Sequence, residues 1–369
     1  MKYYIIAGEA SGDLHASNLM LEIKTLDPKA KFRFIGGDKM ESVDDAVSFM
    51  HYKNINIIGF TAIFKNIIRL IKILVLAKKD IKKYNPDILI LVDFAGFNLK
   101  IAKYAKNNGI KVCYYILPKA WAWKPKRALQ IKKYTDIALS ILPFEINFYK
   151  KYDVKAIYVG NPVNDAINNY NFSDSFLDKF ALNKSNIIAM LPGSRESEIK
   201  AHMPILNSLA SRFPSYHFII AANKSSSKIF SKYKKLSSNV KIVFDHTYDL
   251  LKNAKVGIIK SGTSSLEASL LKLPHMVIYK LNWLNYLVAY LLVKIKYVSL
   301  INLILNKEVV KEYLQYNFNL NNLSDQLNKL LNNSSCIDEL NRSFDNLSLA
   351  LGSERSSGIA AKHIINLVK

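Results

Sequence analysis

Two short stretches carry residue types that suit a phosphorylated ligand. In IIAMLPGSRESEI an apolar run leads into Pro192, Gly193, Ser194 and Arg195, with a helix expected to begin near Glu196. Gly193 lets a ligand approach the backbone, Ser194 offers a hydroxyl, and Arg195 offers a planar fork of donors that matches phosphate oxygens. The plainer alternative is a surface pair between Arg195 and Glu198. In VGIIKSGTSSLEASL a second apolar run gives way to Ser261, Gly262, Thr263 and Ser264. Their N–H groups and hydroxyls fall where a helix would start, which is where anions bind. Glu267 lies about one turn in, able either to accept ribose hydroxyls or to serve as a first-turn capping carboxylate. Together the stretches read as a cradle for a nucleotide diphosphate. Neither an Asp-x-Asp pair nor a His cluster accompanies them. The expectation is therefore a leaving diphosphate stabilised by cations and a helix terminus, with no metal and no other cofactor.

A different chemistry is written into the first half. Asp93 ends the apolar run of ILVDFAGFNLKIA, where a catalytic carboxylate would sit at the mouth of a parallel sheet; a turn-forming role with Asn98 is the alternative. AGEASGDLHAS has the layout of a phosphate loop, with Gly8 and Gly12 after a β-branched run. Yet it carries Glu9 and Asp13 where a phosphate would want no carboxylate. Gly8, Glu9, Ser11, Gly12 and Asp13 read better as the wall of a sugar pocket beside Asp93. In VCYYILPKAWAWKPKR, Trp121 and Trp123 stand among Lys119, Lys126 and Arg127, a lining for a phosphorylated, partly apolar acceptor or else aromatic core with a solvated basic edge.

These residues need a scaffold, and 369 residues suffice for two domains of ordinary size. Strand-like runs are expected at residues 3–7, 32–35, 88–92, 112–117, 137–141 and 156–159, then at 186–191, 217–222, 240–244, 256–259 and 276–279. Helix-period segments separate them. The alternation predicts two doubly wound, mostly parallel α/β domains facing across a cleft. The polar stretch at 168–186 marks the boundary, giving domains 1–168 and 169–345. A segment 346–369 ends in an expected helix at 356–368 that returns to the first domain.

The formal charge is +23, from 52 basic and 29 acidic residues. Lys supplies most of it, as codon drift toward Lys, Asn and Ile would, so the charge alone does not argue for nucleic acid as a partner. It does favour acidic phospholipid surfaces. The two cysteines, Cys113 and Cys336, have no metal or redox spacing and suit a reducing cytoplasm. A strand-like run begins at Tyr3, so no signal peptide is expected. Between residues 57 and 76, Phe60, Ile63, Phe64, Ile67, Ile71, Leu74 and Val75 recur at helical spacing, with Lys65, Arg69 and Lys72 on the other face. That pattern fits a helix packed on the sheet, or an interfacial helix with Phe60, Ile63, Phe64, Ile67 and Arg69 meeting lipid. WLNYLVAYLLV at 283–293 is too short to span a bilayer.

In order, GEASGD, D-x-x-x-F-N at 93–98, YYI-x-P-x-x-WAWK at 114–124, LPFE at 142–145, LPGSR-x-x-E at 191–198, SGT-x-x-LE at 261–267, YVSL-x-NL at 297–303 and E-x-V-x-E-x-LQ at 308–315 resemble the lipid-A-disaccharide synthases across nearly the whole chain. The resemblance implies an inverting, metal-independent GT-B glycosyltransferase. Its substrates would be UDP-2,3-diacylglucosamine and 2,3-diacylglucosamine 1-phosphate, its products UDP and a β-1,6 disaccharide. It implies Asp93 as general base, Arg195, Asn302 and Gln315 at the donor, Asn98 on the acceptor side, and a peripheral position on the cytoplasmic face of the inner membrane. Ala95, Leu117, Asn161 and Ile301 depart from the family's proline, serine, histidine and proline. Any role that histidine has does not carry over to Asn161. Against two rivals, a peptidoglycan N-acetylglucosaminyltransferase and a UDP-sugar epimerase, stand GEASGD and WAW. A non-catalytic basic protein would leave both anion loops and Asp93 unexplained. Oligomeric state is not legible in the sequence.

Overall fold

The structure, a computed structural model, describes residues 1–55, 67–233, 235–293 and 295–369. The chain divides into two units, Met1–Pro162 with Glu354–Lys369, and Val163–Ser353. In the first, β1 (Lys2–Ala7), β2 (Lys31–Gly36), β3 (Ala46–His51), β4 (Ile88–Val92), β5 (Lys111–Tyr115), β6 (Ile137–Ser140) and β7 (Ala156–Tyr158) form one sheet in the order β3-β2-β1-β4-β5-β6-β7. In the second, β8 (Ile187–Leu191), β9 (His217–Ala222), β10 (Val240–Phe244), β11 (Val256–Lys260), β12 (His275–Tyr279) and β13 (Glu312–Leu314) are ordered β10-β9-β8-β11-β12-β13. All neighbours pair parallel. The doubly wound α/β expectation therefore holds for each unit.

Side-chain alternation explains why these runs are apolar throughout. Tyr3, Ile5 and Ala7 point to one face, packed with residues of the helices Ala10–Leu26 and Ser356–Val368. Tyr4 and Ile6 point to the other, packed with residues of the helices Ile67–Tyr84 and Ala95–Asn107. A strand buried on both faces needs no polar register, and parallel sheets are covered in this way. The unanticipated strands are both edges. β3 is only partly buried and mixes Ser and His with apolar residues, and β13 is three residues long beside Glu308 and Lys311.

The division falls earlier than the polar stretch at 168–186. Val163 and Ile167, on the helix Pro162–Asn168, already pack into the second unit's core with Ile188 and Met190. The helix Ser334–Leu351 likewise packs with that core through Phe344 and Leu347, so the return to the first unit begins at Glu354.

In the helix Ile67–Tyr84, Ile73, Ala77 and Ile81 are buried and Leu74 is partly buried against the sheet. Ile68, Ile71 and Val75 form a second apolar row that stays exposed among Arg69, Lys72 and Lys79. Phe60, Ile63 and Phe64 lie outside the described residues, as does the side chain of Ile67. Asp80 anchors the helix inward. It receives Arg33 Nε and Nη2, each at 2.7 Å, and the Tyr4 hydroxyl at 2.8 Å. Among the described residues, no helix is long and apolar enough to cross a membrane.

Candidate active site and donor cradle

In a doubly wound sheet the ligand crevice opens where strand order reverses, at the carboxyl ends of two neighbouring strands. In the first sheet those strands are β1 and β4, paired Ala7 to Val92. The loops leaving them are the GEASGD loop and the Asp93 turn. In the second sheet they are β8 and β11, paired Leu191 to Ile259. Their loops are Pro192–Arg195 and Ser261–Thr263. The four stretches singled out by residue chemistry thus occupy the two switch points.

Asp93 sits on an unusual backbone. Its φ is 44° and that of Phe94 is 48°, two consecutive non-glycine residues in the left-handed region. Such geometry persists only where surrounding contacts over-determine it. Here the Asp93 carbonyl receives the Asn98 side-chain amide at 2.8 Å and the Tyr114 hydroxyl at 2.6 Å, while the Asp93 N–H donates to the Tyr115 carbonyl at 3.3 Å. Asn98 is fully buried and also donates to the Val92 carbonyl at 3.2 Å. Its place is beneath the turn, not on the acceptor side as the sequence suggested. The Asp93 side chain remains open to solvent. Surrounding protein displaces enough water to push its carboxyl above the ordinary range, against the opposing pull of Lys119, the Phe94 N–H and Arg127.

The GEASGD loop lies against this turn. A Cβ on Gly8 would come within 2.3 Å of the Phe94 ring, so glycine here admits Phe94 and not, as expected, a sugar. A Cβ on Gly12 would meet Ala7 at 3.3 Å, where helix packs on strand. Asp13 is buried and accepts the N–H groups of Gly37 at 2.7 Å and of Lys39 and Met40 at 3.2 Å. It pins the loop after β2. Glu9 is half-buried and Ser11 exposed, which leaves these two as the loop's candidates for substrate contact.

Trp121 and Trp123 lie on the short helix Ala120–Trp123, both half-buried. Lys124 Nζ and the Arg127 guanidinium lie 4.5 Å and 4.7 Å from the Trp123 ring centre, stacking the cations on the aromatic face. The Trp121 indole N–H donates to buried Glu145 at 2.8 Å. Asn161 is buried too, its side-chain amide donating to the Ile141 carbonyl at 2.9 Å.

In the second unit, Gly193 adopts φ 116°, and a Cβ there would stand 2.5 Å from Glu198 Oε2. Glycine is required on both counts. Glu198 lies in the first turn of the helix Glu196–Arg212 and accepts the Ser194 N–H at 3.2 Å and the Arg195 N–H at 3.4 Å. Its cation is Lys260, at 2.9 Å, whereas Arg195 Nη1 is 3.9 Å away. Burial alone would raise the Glu198 carboxyl; Lys260 and the Arg195 N–H outweigh it and hold the carboxylate below its usual range. Glu198 thus pairs closely with Lys260 and more loosely with Arg195, so the pair between Arg195 and Glu198 is present. Arg195 keeps 53% of its side chain exposed, a cation with donors to spare.

Ser194 and Thr263 are exposed, and Thr263 starts the helix Thr263–Leu270 after Gly262. Ser261 spends its hydroxyl on the Val298 carbonyl at 2.8 Å. Glu267 accepts the Tyr248 hydroxyl at 3.0 Å; burial raises its carboxyl despite that bond and one from Ser264. Asn302 and Gln315, both expected at the donor, each carry side-chain hydrogen bonds within the fold. Asn302 is fully buried, donating to the Val310 carbonyl and Glu312 Oε1, both at 2.9 Å, and accepting the N–H groups of Val309 and Val310 at 2.8 Å and 3.0 Å. Its amide has no further capacity. Gln315 accepts the Leu281 N–H at 2.7 Å and donates to the Leu281 carbonyl at 3.3 Å.

Two positioning residues escaped sequence reasoning. Lys260 precedes the SGT turn and could have been read from its place at a strand end. Buried His202 donates no such sign. Its Nε2 accepts the Lys280 N–H at 3.0 Å, which places the proton on Nδ1, donated to the Pro192 carbonyl at 2.6 Å. Burial lowers its basicity and keeps it neutral. Among the described residues, no three His, Cys, Asp or Glu side chains converge as a metal site would need.

A profile of the lipid-A-disaccharide synthetases matches residues 3–362. The chain belongs to the lipid-A-disaccharide synthetase family. It is 35% identical over 365 residues to lipid-A-disaccharide synthase 1 of Legionella pneumophila strain Lens, covering 93% of this chain and 92% of that one. It is 30% identical over 371 residues to the synthase of Myxococcus xanthus, covering 99% and 97%. Among solved structures it resembles the UDP-GlcNAc 2-epimerase of Neisseria meningitidis bound to UDP-GlcNAc, with TM-score 0.70, 15% identity and coverage of 99% and 100%. The glycotransferase of kitacinnamycin gives TM-score 0.66 at 10% identity, covering 100% and 99%. At such identities the structural likeness bears on fold alone, and that fold is of the GT-B type.

Proposed function

We propose that this chain transfers a 2,3-diacylglucosamine unit from its UDP conjugate to the 6-hydroxyl of 2,3-diacylglucosamine 1-phosphate, releasing UDP and forming the β-1,6-linked disaccharide. Family membership over nearly the full length supports the reaction class. The observation that carries the assignment of roles is Asp93, held on a strained turn at a sheet's switch point with its carboxylate open to solvent. Asp93 takes the proton from the acceptor 6-hydroxyl as that oxygen attacks the anomeric carbon. The bond from that carbon to the donor phosphate breaks, and its electron pair leaves with UDP. Attack from the face opposite the phosphate inverts the anomeric centre. The Pro192–Arg195 and Ser261–Thr263 loops take the diphosphate, with Arg195 and the N-terminal amides of the helix Thr263–Leu270 offsetting the charge that develops. No metal is required in this scheme, and turnover is expected to persist in EDTA.

The exposed row Ile68, Ile71 and Val75 among Arg69, Lys72 and Lys79 supports a peripheral seat on an acidic phospholipid surface, at the cytoplasmic face of the inner membrane. Nucleic acid has no part in the scheme. The test is UDP release from UDP-2,3-diacylglucosamine with and without the acceptor. Release that depends on acceptor is expected. Acceptor-independent release, or interconversion of the UDP-sugar alone, would turn the assignment toward an epimerase.

A further inference from the structure

Lys260 is the last residue of β11, at the carboxyl end where the strand order of the second sheet reverses. The rest of that strand is buried, and Lys260 alone in it carries a charge. Its ammonium lies 2.9 Å from Glu198 Oε1 and 5.2 Å from the centre of the Tyr279 ring, and the side chain stays partly exposed. An ammonium has three N–H donors, so the bond to Glu198 leaves others to give. Beside Gly262, the space that a Cβ would fill is open. Apart from the glycine's chain neighbours, Lys260 Nζ at 3.7 Å is the one described atom within 4 Å of it. A ligand entering that space meets the ammonium.

The charges here do not balance without a ligand. Arg195 Nη1 lies 3.9 Å from the same Glu198 oxygen, so two cations share one carboxylate. The neighbouring acids are engaged elsewhere. Glu196 pairs with Lys200 and Lys232, each at 3.0 Å, and Glu267 accepts the Tyr248 hydroxyl at 3.0 Å. Lys260 also stands beside the start of the helix Thr263–Leu270, where the helix dipole adds positive potential and disfavours a cation. An incoming anion relieves all three. Glu198, for its part, is seated by the N–H groups of Ser194 and Arg195 as well as by Lys260. Its bond to Lys260 therefore serves to aim the ammonium.

We propose that Lys260, beyond its part in positioning the loops, is a direct ligand of the donor diphosphate, aimed by Glu198 at the space beside Gly262 and sharing that task with Arg195. The inference rests on reading these two loops as the diphosphate cradle. When the bond from the anomeric carbon to the phosphate oxygen breaks, the electron pair stays on that oxygen. Lys260 keeps its proton and donates a charge-assisted hydrogen bond to the phosphate as the negative charge grows.

Isothermal titration of the full chain with UDP and with uridine tests this. Lys260→Met keeps the stem and loses the charge. It should weaken UDP binding by about 10–100-fold, the worth of one charge-assisted hydrogen bond, and leave uridine unchanged. Lys260→Gln keeps a donor toward Glu198 and should lose UDP similarly, because the effect follows the charge. The sharpest arm places Lys260→Met on a Glu198→Gln background. A lysine that worked only by holding Glu198 would cost nothing there, whereas a ligand of the diphosphate costs the same factor as before. Wild-type UDP affinity in Lys260→Met and Lys260→Gln, an equal loss of uridine, or a loss that vanishes on the Glu198→Gln background would overturn the inference. Failure of the wild type to bind UDP would instead overturn the reading of the loops as a cradle, and this inference with it.

Discussion

The two switch points share a topology and differ in how their turns are built. After β4, non-glycine residues are forced into left-handed backbone, Asp93 at φ 44° and Phe94 at 48°, with side-chain donors from Asn98 and Tyr114 on the Asp93 carbonyl. After β8 and β11, glycines make the turns, Gly193 at φ 116° and Gly262 at φ 150°. The first arrangement aims one carboxylate and fixes it. The second clears backbone and leaves Arg195, Ser194 and Thr263 open to an anion. A proton acceptor needs a defined direction, which strain and buried hydrogen bonds supply. A diphosphate needs many donors and close approach, which glycine and a helix start supply.

Several changes would break or sharpen this contrast. Asp93→Asn should lower turnover by about 10²–10⁴-fold, the usual contribution of a general base, with little effect on donor affinity. Arg195→Ala should weaken donor binding by about 10–100-fold, the value of one charge-assisted bond or two, and leave acceptor KM alone. Isothermal titration with UDP reads this directly. Asn98→Ala removes a buried donor from the strained turn. It should cost about 1–3 kcal/mol in urea unfolding and lower turnover more than donor binding. Gly193→Ala should disturb donor binding and leave acceptor KM alone, since its added Cβ meets Glu198 in the donor cradle.

Glu145→Gln offers a smaller effect with a defined sign. The folded carboxyl is raised to about 7 from an ordinary 4.5, so the stability the neutral acid contributes is full below 4.5 and lost as pH rises through 7. The variant should match the wild-type melting temperature near pH 4.5 and exceed it at pH 8. Equal melting temperatures at both values would contradict a raised Glu145 carboxyl.

Much of this was legible in the chain because chemistry and topology coincide at strand ends. Asp93 and Pro192–Arg195 each follow a fully apolar run, and Ser261–Thr263 follows one that ends in Lys260; such runs announce buried parallel strands. What stayed hidden was the direction of side chains that look reactive but bond inward. Asp13, Asn98, Asn302 and Gln315 carry the polar types of a binding site, yet each bonds to protein backbone. Spacing along the chain cannot separate these uses, because their partners come from 24 residues away for Asp13 and 34 for Gln315. Glu145 was visible only as a motif letter. Its partners Trp121 and Ser140 meet it through the folding of β5, β6 and their helices.

The division of labour is tested most directly by measuring UDP binding and acceptor-dependent turnover on Asp93→Asn and Arg195→Ala side by side. Asp93→Asn should bind UDP like the wild type and turn over at least about a hundredfold more slowly, while Arg195→Ala should lose UDP affinity. Near-normal turnover in Asp93→Asn, or equal loss of UDP binding in both variants, would contradict the assignment of base and cradle to separate switch points.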